Sequence, residues 1–404
     1  MAQTLGDLPV GAKVKAENSK WYGQDLIFRK LGEGHSQDPT DSIILQTNDI
    51  ITVRCFDAME PSNSAYSRRS EGNNRYLYSN LLQWLNSDAG AGEWWTAQHE
   101  ADMPPNSGNV WKNSVTPVNP YATQVGFMND FTDDFKNSLL TVTKRTAKAS
   151  TDAGGYEDVQ SKFFLLSTTE VGLENENNIA EGELYSLFSD LSKRIMAVTT
   201  KCANNTVGAD SLTTGEAWYW WLRTPRYNYS NQVRLVMDDG TLGYGSAFNG
   251  RYGIAPACAM SKNQKVSNTV DEDGCYTLIY EQTVDKPTML TTSYKVTKSE
   301  ITPKLDGYDS STMTLSGDTS ATNIGFYTLS ITPKEGYTWS DDSSIDPVDF
   351  AWDIYDVGVI KQNNVVYGDT SELESRIEDI TEMLGNFNNN VSIEVKNNVL
   401  TINK

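Results

Sequence analysis

Residues 218–257 read WYWWLRTPRYNYSNQVRLVMDDGTLGYGSAFNGRYGIAPA, a stretch that opens on aromatic side chains and closes on an apolar strand. Successive side chains of a strand point to opposite faces, so the initial aromatic residues cannot all face one way. We expect some of them to anchor the core and others to support the surface. Farther on, QVRLVM (232–237), a turn at Asp239-Gly240 and TLGYGSAF (241–248) predict a β-hairpin.

The composition of this hairpin indicates recognition. Within residues 227–253, 14 of 27 residues are Tyr, Asn, Ser or Gly. Antibody loops use the same mixture, because Tyr provides a large rigid contact area and the small polar residues adapt their hydrogen bonds. The sequence therefore predicts a binding face, and the alternative is a solvated hairpin rich in turns.

Bulk composition narrows the classes of function. A chain of 404 residues with 10 Trp, 20 Tyr and 12 Phe predicts two or three globular domains. A net charge of −20 without a Lys/Arg cluster argues against nucleic acid as a partner. The first residues, MAQTLGDLPVGAKV, lack a basic region followed by an apolar one, and the sequence has no run of about 18 apolar residues. We expect a protein made in the cytoplasm, without a signal peptide and without membrane insertion.

The cysteines and histidines favour neither a zinc site nor a disulfide framework. The chain has two His, and its four Cys are scattered without a CxxC spacing: Cys55, Cys202, Cys258 and Cys275. We expect buried free thiols and no cofactor. A structural calcium ion remains an alternative, because loop carboxylates and amides are calcium ligands.

Residues 1–265 predict a first domain of α+β class, with strands at KVKAENSKWYGQDLIFRKLG and SIILQTNDIITVRCFD. Helices are predicted over 78–87 with Ser79 as N-cap, over 131–140 with Thr132 as N-cap, and over 181–196. The apolar stripe of the third helix comprises Leu184, Leu187, Phe188, Leu191 and Ile195. These stripes predict core contacts.

The remaining chain changes character. Residues 270–358 concentrate β-branched and aromatic residues at the spacing of short antiparallel strands, which predicts an all-β, immunoglobulin-like sandwich. Residues 359–404 predict a helix and a hairpin turning at Asn397-Asn398, for oligomerisation or docking. The apolar seam of this helix has coiled-coil spacing and favours a trimer over a dimer. The alternative is that the helix packs on its own chain. The seam residues are Leu373, Ile377, Ile380 and Leu384.

Several motifs resemble one family. The run W-x-x-WLRTP, the Tyr/Asn/Ser-rich sequence after it, the D-G-T-L turn and the G-x-x-P-A strand are similar to the domain of unknown function family 6273. LGDLPVGAKV, FDAMEPSNS, SNLLQWLNSDA and TEVGLENENNIAEG resemble its phage-borne members. The resemblance implies a C-type-lectin-like, formylglycine-generating-enzyme-like fold, followed by an immunoglobulin-like module as in the common layout of such proteins.

The resemblance also implies a binding site. In related lectin-fold proteins the segment corresponding to 218–257 is a variable region, diversified by retroelements, that contacts the ligand. The positions carried over are Tyr227, Asn228, Tyr229, Asn231, Arg234, Tyr244, Ser246, Phe248, Asn249, Arg251 and Tyr252. The expected protein is a virion structural protein, of a tail, fibre or other exposed surface. Its expected partners are a bacterial surface receptor or carbohydrate and other virion proteins, and we expect a homo-oligomer.

Two alternatives remain. One is a capsid or tail decoration protein with a mainly structural role. The other is a copper-dependent oxidase-like enzyme, since the enzymatic branch of this fold uses a cysteine pair near the closing strand. Reactive thiols need an electropositive or metal-bound setting, and neither Cys202 nor Cys258 has a neighbouring His or Cys in the sequence. We therefore expect no enzymatic activity.

Overall fold

The structure, a computed structural model, divides the chain into two compact units, Met1–Tyr280 and Glu281–Lys404. It describes residues 3–208, 211–280, 282–334, 336–341 and 344–356, with the strands at 366–367, 392–396 and 399–403. The first unit extends past the predicted end at residue 265. Strand Cys275–Thr277, which sequence patterning placed in the second domain, pairs in parallel with strand Lys13–Trp21 of the first unit.

A seven-stranded sheet forms one half of the first unit. The strands lie in the order Phe163–Phe164, Ala257–Ser261, Ser42–Thr47, Gln24–Glu33, Lys13–Trp21 and Cys275–Thr277, and Leu139–Leu140 also pairs with Ala257–Ser261. Strand Ser42–Thr47 is buried along its whole length. Such continuous burial is expected where both faces of a strand are covered.

A five-stranded sheet forms the other half. Its strands lie in the order Leu242–Ser246, Gln232–Val236, Trp220–Pro225, Gly253–Ile254 and Thr52–Val53. The predicted hairpin is confirmed, because Gln232–Val236 and Leu242–Ser246 pair antiparallel from Gln232 opposite Ser246 to Val236 opposite Leu242. Gly240 adopts a φ of 84° in the connecting turn, a conformation that glycine adopts without steric cost.

The quoted stretch connects the two sheets. Gly253–Ile254 belongs to the five-stranded sheet, and Ala257–Ser261 follows Pro256 into the seven-stranded sheet. Trp220 and Trp221 are fully buried in two different apolar clusters, as expected from the alternation of side chains along a strand. Truncating a buried Trp to Ala costs about 3–5 kcal/mol, so these residues fix the base of the hairpin.

Three short strand pairs and several short helices complete the described part of the first unit. The pairs are Gln3–Thr4 with Lys265–Val266, Val142–Ala147 with Tyr156–Ser161, and Lys112–Asn113 with Thr116–Pro117. The α-helices are Tyr66–Glu71, Asn80–Leu85, Asp133–Ser138 and Thr200–Asn204, and the 3-10 helices are Tyr76–Tyr78, Ser150–Asp152, Ser186–Ser189 and Leu191–Arg194. The caps at Ser79 and Thr132 are confirmed, since each side chain accepts a hydrogen bond from the third residue beyond it.

The predicted helix over 181–196 is wrong. Two 3-10 turns stand in its place, separated by Asp190 in an extended conformation, whose side chain accepts a hydrogen bond from Ser192 N. Asp and Ser compete with helical hydrogen bonds in this way. Leu187 and Phe188 are buried, whereas the exposed fractions of the other stripe residues are 50% for Leu184, 60% for Leu191 and 43% for Ile195.

The second unit is built from β-strands in its described residues up to 356. A four-stranded sheet has the order Ser293–Lys295, Val348–Tyr355, Gly325–Pro333 and Met313–Gly317, and further pairs join Gln282–Val284 to Tyr337–Trp339 and Thr288–Met289 to Leu305–Asp306. Its core contains Met313, Leu329, Ile331, Trp339, Trp352 and Ile354. Two pairings are parallel rather than antiparallel as predicted: Ser293–Lys295 with Val348–Tyr355, and Gln282–Val284 with Tyr337–Trp339. The chain between the partners is long enough for the crossover that parallel strands need.

Near the C-terminus, strands Val366–Tyr367, Val399–Asn403 and Ser392–Lys396 form a three-stranded sheet in that order. The antiparallel pairing of the last two confirms the predicted hairpin. The predicted seam of Leu373, Ile377, Ile380 and Leu384 lies outside the described residues. The chain is thus rich in β-structure with a few short helices, which is compatible with the predicted α+β class.

Candidate binding face and the buried groups beneath it

Three tyrosines of the predicted face are exposed. The exposed fraction is 39% for Tyr227, 39% for Tyr229 and 49% for Tyr244, and Asn228 is also exposed. The guanidinium carbon of Arg226 lies 4.2 Å from the ring centre of Tyr229 and 3.8 Å from that of Tyr244. Such cation–π contacts contribute about 0.5–1 kcal/mol each at exposed sites, so they restrain both rings before any ligand arrives.

Other predicted contact residues are engaged by two glutamates and hold the hairpin in place; Asn231 is buried, whereas Arg234 and Ser246 lie on the same face as Tyr244 and are half-buried. Asn231 is only 4% exposed, and its side-chain amide donates to Glu71 Oε2 over 2.5 Å. The hydroxyl of Ser246 donates to the same oxygen over 2.6 Å. Arg234 Nε donates to Glu176 Oε1 over 3.1 Å. These three residues support the surface, and Asn231 is not placed to contact a ligand.

The chain after the hairpin is partly buried. Phe248 N donates to Glu71 O, and Trp111 N donates to Phe248 O. Asn249 Oδ1 accepts a hydrogen bond from Arg251 N over 3.1 Å. Phe248, Asn249, Arg251 and Tyr252 are all half-buried. They form the border of the face rather than its most exposed part.

A cavity of about 270 Å³ opens beside the edge strand Leu242–Ser246. It is lined by Trp218, Tyr219, Leu235, Met237, Tyr244, Arg251 and Tyr252. The ring of Tyr252 packs edge to face on buried Trp221, with 4.6 Å between ring centres. Burial raises the pKa of the Tyr252 hydroxyl. The hydroxyl is protonated at neutral pH, as that of an ordinary tyrosine is, and can donate a hydrogen bond.

Glycines in the edge strand make room for this cavity wall. A Cβ on Gly245 would lie 2.3 Å from Cε2 of Tyr252, and one on Gly243 would lie 2.3 Å from the sulfur of Met237. The Tyr252 ring can therefore reach its position only because residue 245 has no side chain. The sequence analysis did not identify Leu235 and Met237 as part of the cavity wall. Together with Val233 they occupy every second position of the strand sequence, which could have placed them on one face.

A buried network of charges surrounds Arg223, toward the C-terminal end of strand Trp220–Pro225. Arg223 Nη1 donates to Glu170 Oε2 over 2.5 Å, and Lys144 Nζ donates to Glu170 Oε1 over 3.0 Å. His35 Nε2 lies 3.0 Å from Glu170 Oε1. Burial alone would raise the pKa of Glu170, but the charges of Arg223 and Lys144 outweigh it and hold that pKa well below its ordinary value. Glu170 is therefore ionised and paired.

The network extends to a second buried glutamate. Arg223 Nη2 donates to Glu181 O over 3.0 Å, and the Thr224 hydroxyl donates to Glu181 Oε2 over 2.6 Å. Burial raises the pKa of Glu181 despite these partners. Arg223 and Thr224 of the WLRTP motif thus fix the strand by long-range polar contacts, which the aromatic pattern of the sequence did not reveal.

A second cluster of buried carboxyls lies near helix Asn80–Leu85. The carboxylate of Asp57 accepts hydrogen bonds from the backbone N–H groups of Asn80 and Asn73, both over 3.0 Å. Burial, reinforced by the charges of Glu60 and Asp102, raises the pKa of Asp57 well above its ordinary value. Asp57 therefore loses its proton at a higher pH than an exposed aspartate does.

The four cysteines are buried free thiols, as expected. Burial raises the pKa of Cys202 to about 12 and raises the pKa values of Cys55 and Cys258 further. Neutral thiols are poor nucleophiles and poor metal ligands. Within the described ranges, no group of three or more His, Cys, Asp or Glu side chains is arranged to hold a metal ion. In the same part of the chain, no helix combines the length and apolar character that crossing a membrane requires.

The fold and site define a β-rich protein whose first unit presents an aromatic hairpin on a tightly buried framework. The family described as "Domain of unknown function (DUF6273)" matches residues 40–262, more than half of the chain. The chain belongs to this family. No curated protein matches the chain, and neither does any solved structure.

Proposed function

We propose that this chain is a structural protein of a phage virion, on a tail, fibre or other exposed surface, and that it binds a bacterial receptor or glycan. In this proposal the first unit is a C-type-lectin-like domain, and an immunoglobulin-like module follows it. The observation that carries the proposal is the group of exposed tyrosines, Tyr227, Tyr229 and Tyr244, on a hairpin whose base is fully buried.

Restraint of the tyrosines supports binding in physical terms. Ordering a mobile side chain on binding costs about 0.5–1.5 kcal/mol, and a side chain that is already held in place loses less. Arg226 restrains two of the rings, and Glu71 and Glu176 form hydrogen bonds with residues of the hairpin. Several copies on one particle would turn weak single contacts into avidity.

Adsorption to bacteria tests the proposal. The purified full chain is incubated with cells of the phage's host, and the bound fraction is measured for the wild type and for the triple variant Tyr227→Ala, Tyr229→Ala and Tyr244→Ala. Contact tyrosines often contribute more than about 1 kcal/mol each, so the triple variant should lose roughly 100-fold in affinity. Phe326→Ala, which removes a 69% exposed aromatic side chain from the second unit, is the matched control and should bind normally. Equal adsorption of the triple variant and the wild type would reject the proposal.

A structural role is the second candidate, favoured by the surface of the second unit. Leu290, Ile324, Phe326 and Ile345 are each about 60% or more exposed: 62%, 59%, 69% and 61%. Ile324 and Phe326 lie two residues apart at the start of strand Gly325–Pro333, and contiguous exposed apolar side chains are typical of interfaces. Particles that carry Ile324→Ser with Phe326→Ser would be unstable but adsorb normally if decoration were the main role. The two roles are compatible in one fibre.

A further inference from the structure

Strand Leu242–Ser246, at the edge of the five-stranded sheet, points to the kind of receptor, and this inference rests on the proposed function. We infer that the strand pairs with an extended segment of a receptor protein, which adds one more strand to the sheet. A large apolar side chain of that segment fills the neighbouring cavity of about 270 Å³. The receptor is therefore a protein rather than a glycan.

The hydrogen bonds of the hairpin show which backbone groups of the edge strand point outward. Met237 N donates to Thr241 O over 2.8 Å at the turn. Antiparallel strands alternate between residue pairs that share hydrogen bonds and pairs that do not, so the N–H and C=O groups of Leu242 and Tyr244 point away from the neighbouring strand. Among the residues that the structure describes, none forms a hydrogen bond with these groups.

The residues of this edge strand leave it open to pairing. Natural edge strands usually carry Lys, Pro or a bulge that keeps another chain from adding to the sheet. The sequence of this strand is LGYGS, and each of its five residues pairs in turn with Gln232–Val236. It is also the longest edge strand of the two large sheets, since the others comprise two or three residues.

The cavity lies on a face of the sheet that an added strand reaches. Residues opposite one another in paired strands share a face, so Gly243 and Gly245 share a face with Leu235, which lines the cavity. Met237 and Tyr252 cover these glycines and also line the cavity. An added strand places every second side chain on this same face, beside the cavity walls.

The walls of the cavity suit one large apolar side chain. Six of the seven lining residues are aromatic or aliphatic. Pockets for drug-sized ligands usually occupy about 300–1,000 Å³, so a cavity of about 270 Å³ suits a single side chain. When a peptide adds a strand to a sheet, main-chain hydrogen bonds provide affinity and pockets for alternate side chains provide specificity. Both parts of that recognition are present at this edge.

Other occupants fit the edge less well. Two copies of this chain that paired their edge strands about a two-fold axis would extend one sheet, with the same residues on each face. Each copy would then offer Gly243 and Gly245 to the cavity of the other, and glycine has no side chain to fill it. The outward groups of Leu242 and Tyr244 recur at two residues of an extended chain, about 7 Å, a repeat that another extended peptide matches.

Treatment of host cells tests the class of receptor. Cells of the phage's host are incubated with proteinase K or with sodium periodate, which oxidises sugar rings, before the purified full chain is added. We expect the protease to remove most of the adsorption and periodate to leave it. Adsorption that survives the protease overturns the inference, and its loss to periodate in that case indicates a glycan receptor.

Variants of the edge strand test how the receptor binds. Leu242→Pro removes an outward N–H that the hairpin does not use, and places a ring where the added strand lies. Leu242→Ala keeps the N–H and is the matched control. We expect the Pro variant to adsorb at least about ten-fold more weakly than the Ala variant, because it loses a main-chain hydrogen bond and obstructs pairing. Tyr244→Pro against Tyr244→Ala repeats the comparison at the next outward position, so one pair stays informative if the other Pro variant misfolds.

A variant of the cavity tests the side-chain site. Met237→Trp occupies part of the cavity and should weaken adsorption by a similar factor, whereas Met237→Leu, of similar volume, should adsorb like the wild type. Near-ultraviolet circular dichroism checks that each variant is folded. Equal adsorption of folded Pro and Ala variants, or full adsorption of folded Met237→Trp, overturns the inference.

The tyrosine triple variant separates this inference from the proposed function. If that variant loses adsorption while the Pro and Ala variants adsorb equally, the proposed function stands and only the mode of receptor binding is wrong. Weaker adsorption of the Pro variants combined with normal adsorption of the triple variant would instead reject the proposed function.

Discussion

Arg223 and Glu170 form a salt bridge of 2.5 Å between two completely buried side chains. Removing one partner of a buried ion pair leaves the other charge uncompensated, which typically costs about 3–5 kcal/mol. We expect Glu170→Gln to lower the free energy of unfolding of the first unit by that order, because both Arg223 and Lys144 lose a negative partner. Urea unfolding followed by tryptophan fluorescence measures this, since eight of the ten Trp residues lie in the first unit.

The matched control for this variant is an ion pair near the surface. Arg145 Nε lies 3.5 Å from Asp158 Oδ1, and both side chains are more than a third exposed. Solvent screens such pairs, so Asp158→Asn should change the free energy of unfolding by less than about 0.5 kcal/mol. A Glu170→Gln protein as stable as Asp158→Asn would contradict a structural role for the buried network.

The pH dependence of stability should have two opposing parts. The pKa of Glu170 is lowered, so its contribution is present above its ordinary value of 4.5 and is lost as the pH falls through the lowered native value. The pKa of Asp57 is raised above 3.8, so its contribution is present below 3.8 and is lost as the pH rises through the raised value. Stability should therefore rise with pH in acid and then decline.

Two variants separate these contributions. Glu170→Gln should remove much of the loss in acid, whereas Asp57→Asn should flatten the decline at higher pH. Asp57→Asn will also lower stability at every pH, because an amide nitrogen cannot accept from the N–H of Asn73 or Asn80. The readout is thus the slope of unfolding free energy against pH between about 3 and 8. Identical slopes for wild type and both variants would show that neither carboxyl is linked to folding.

The buried thiols give a chemical prediction. Because burial raises the pKa of Cys202 to about 12 and keeps the other thiols away from solvent, none of the four should react with a disulfide reagent in minutes at pH 8. All four should react after unfolding in guanidinium chloride. The native protein should bind no copper(I) at stoichiometric levels. Rapid reaction of Cys202 and Cys258, or their binding of one copper ion, would favour the oxidase-like alternative.

Local signals in the sequence predicted the elements that local interactions stabilise. The hairpin follows from alternation and an Asp-Gly turn, and the caps at Ser79 and Thr132 need only a side chain and an N–H three residues away. The prediction of a helix over 181–196 was wrong because the spacing of the apolar residues carries no information about the competing hydrogen bond that the Asp190 side chain accepts from Ser192 N. An amphipathic helix needs apolar residues at helical spacing, but that spacing does not guarantee a helix. Asp and Ser side chains can hydrogen-bond to the nearby backbone and interrupt it.

The candidate site shows the same limit. Composition indicated an exposed face, and Tyr227, Tyr229 and Tyr244 are exposed. The burial of Asn231 could not be predicted, because its partner Glu71 lies 160 residues away in the sequence. Arg223 was likewise counted as part of an aromatic motif, although its partner Glu170 is 53 residues distant. Contacts between distant residues depend on the folded chain and leave no local pattern.

Gly245 leaves room for the Tyr252 ring in the wall of the cavity. Gly245→Ala places a methyl group where the Tyr252 ring lies, with 2.3 Å between Cβ and Cε2, so the ring must move away from Trp221 and close part of the cavity. We expect weaker adsorption to host cells, with a change in near-ultraviolet circular dichroism. Gly108→Ala is the control, because its Cβ would meet only the Asn106 side chain at 3.2 Å. Equal binding by Gly245→Ala and Gly108→Ala would show that the ligand does not use the surface shaped by Tyr252.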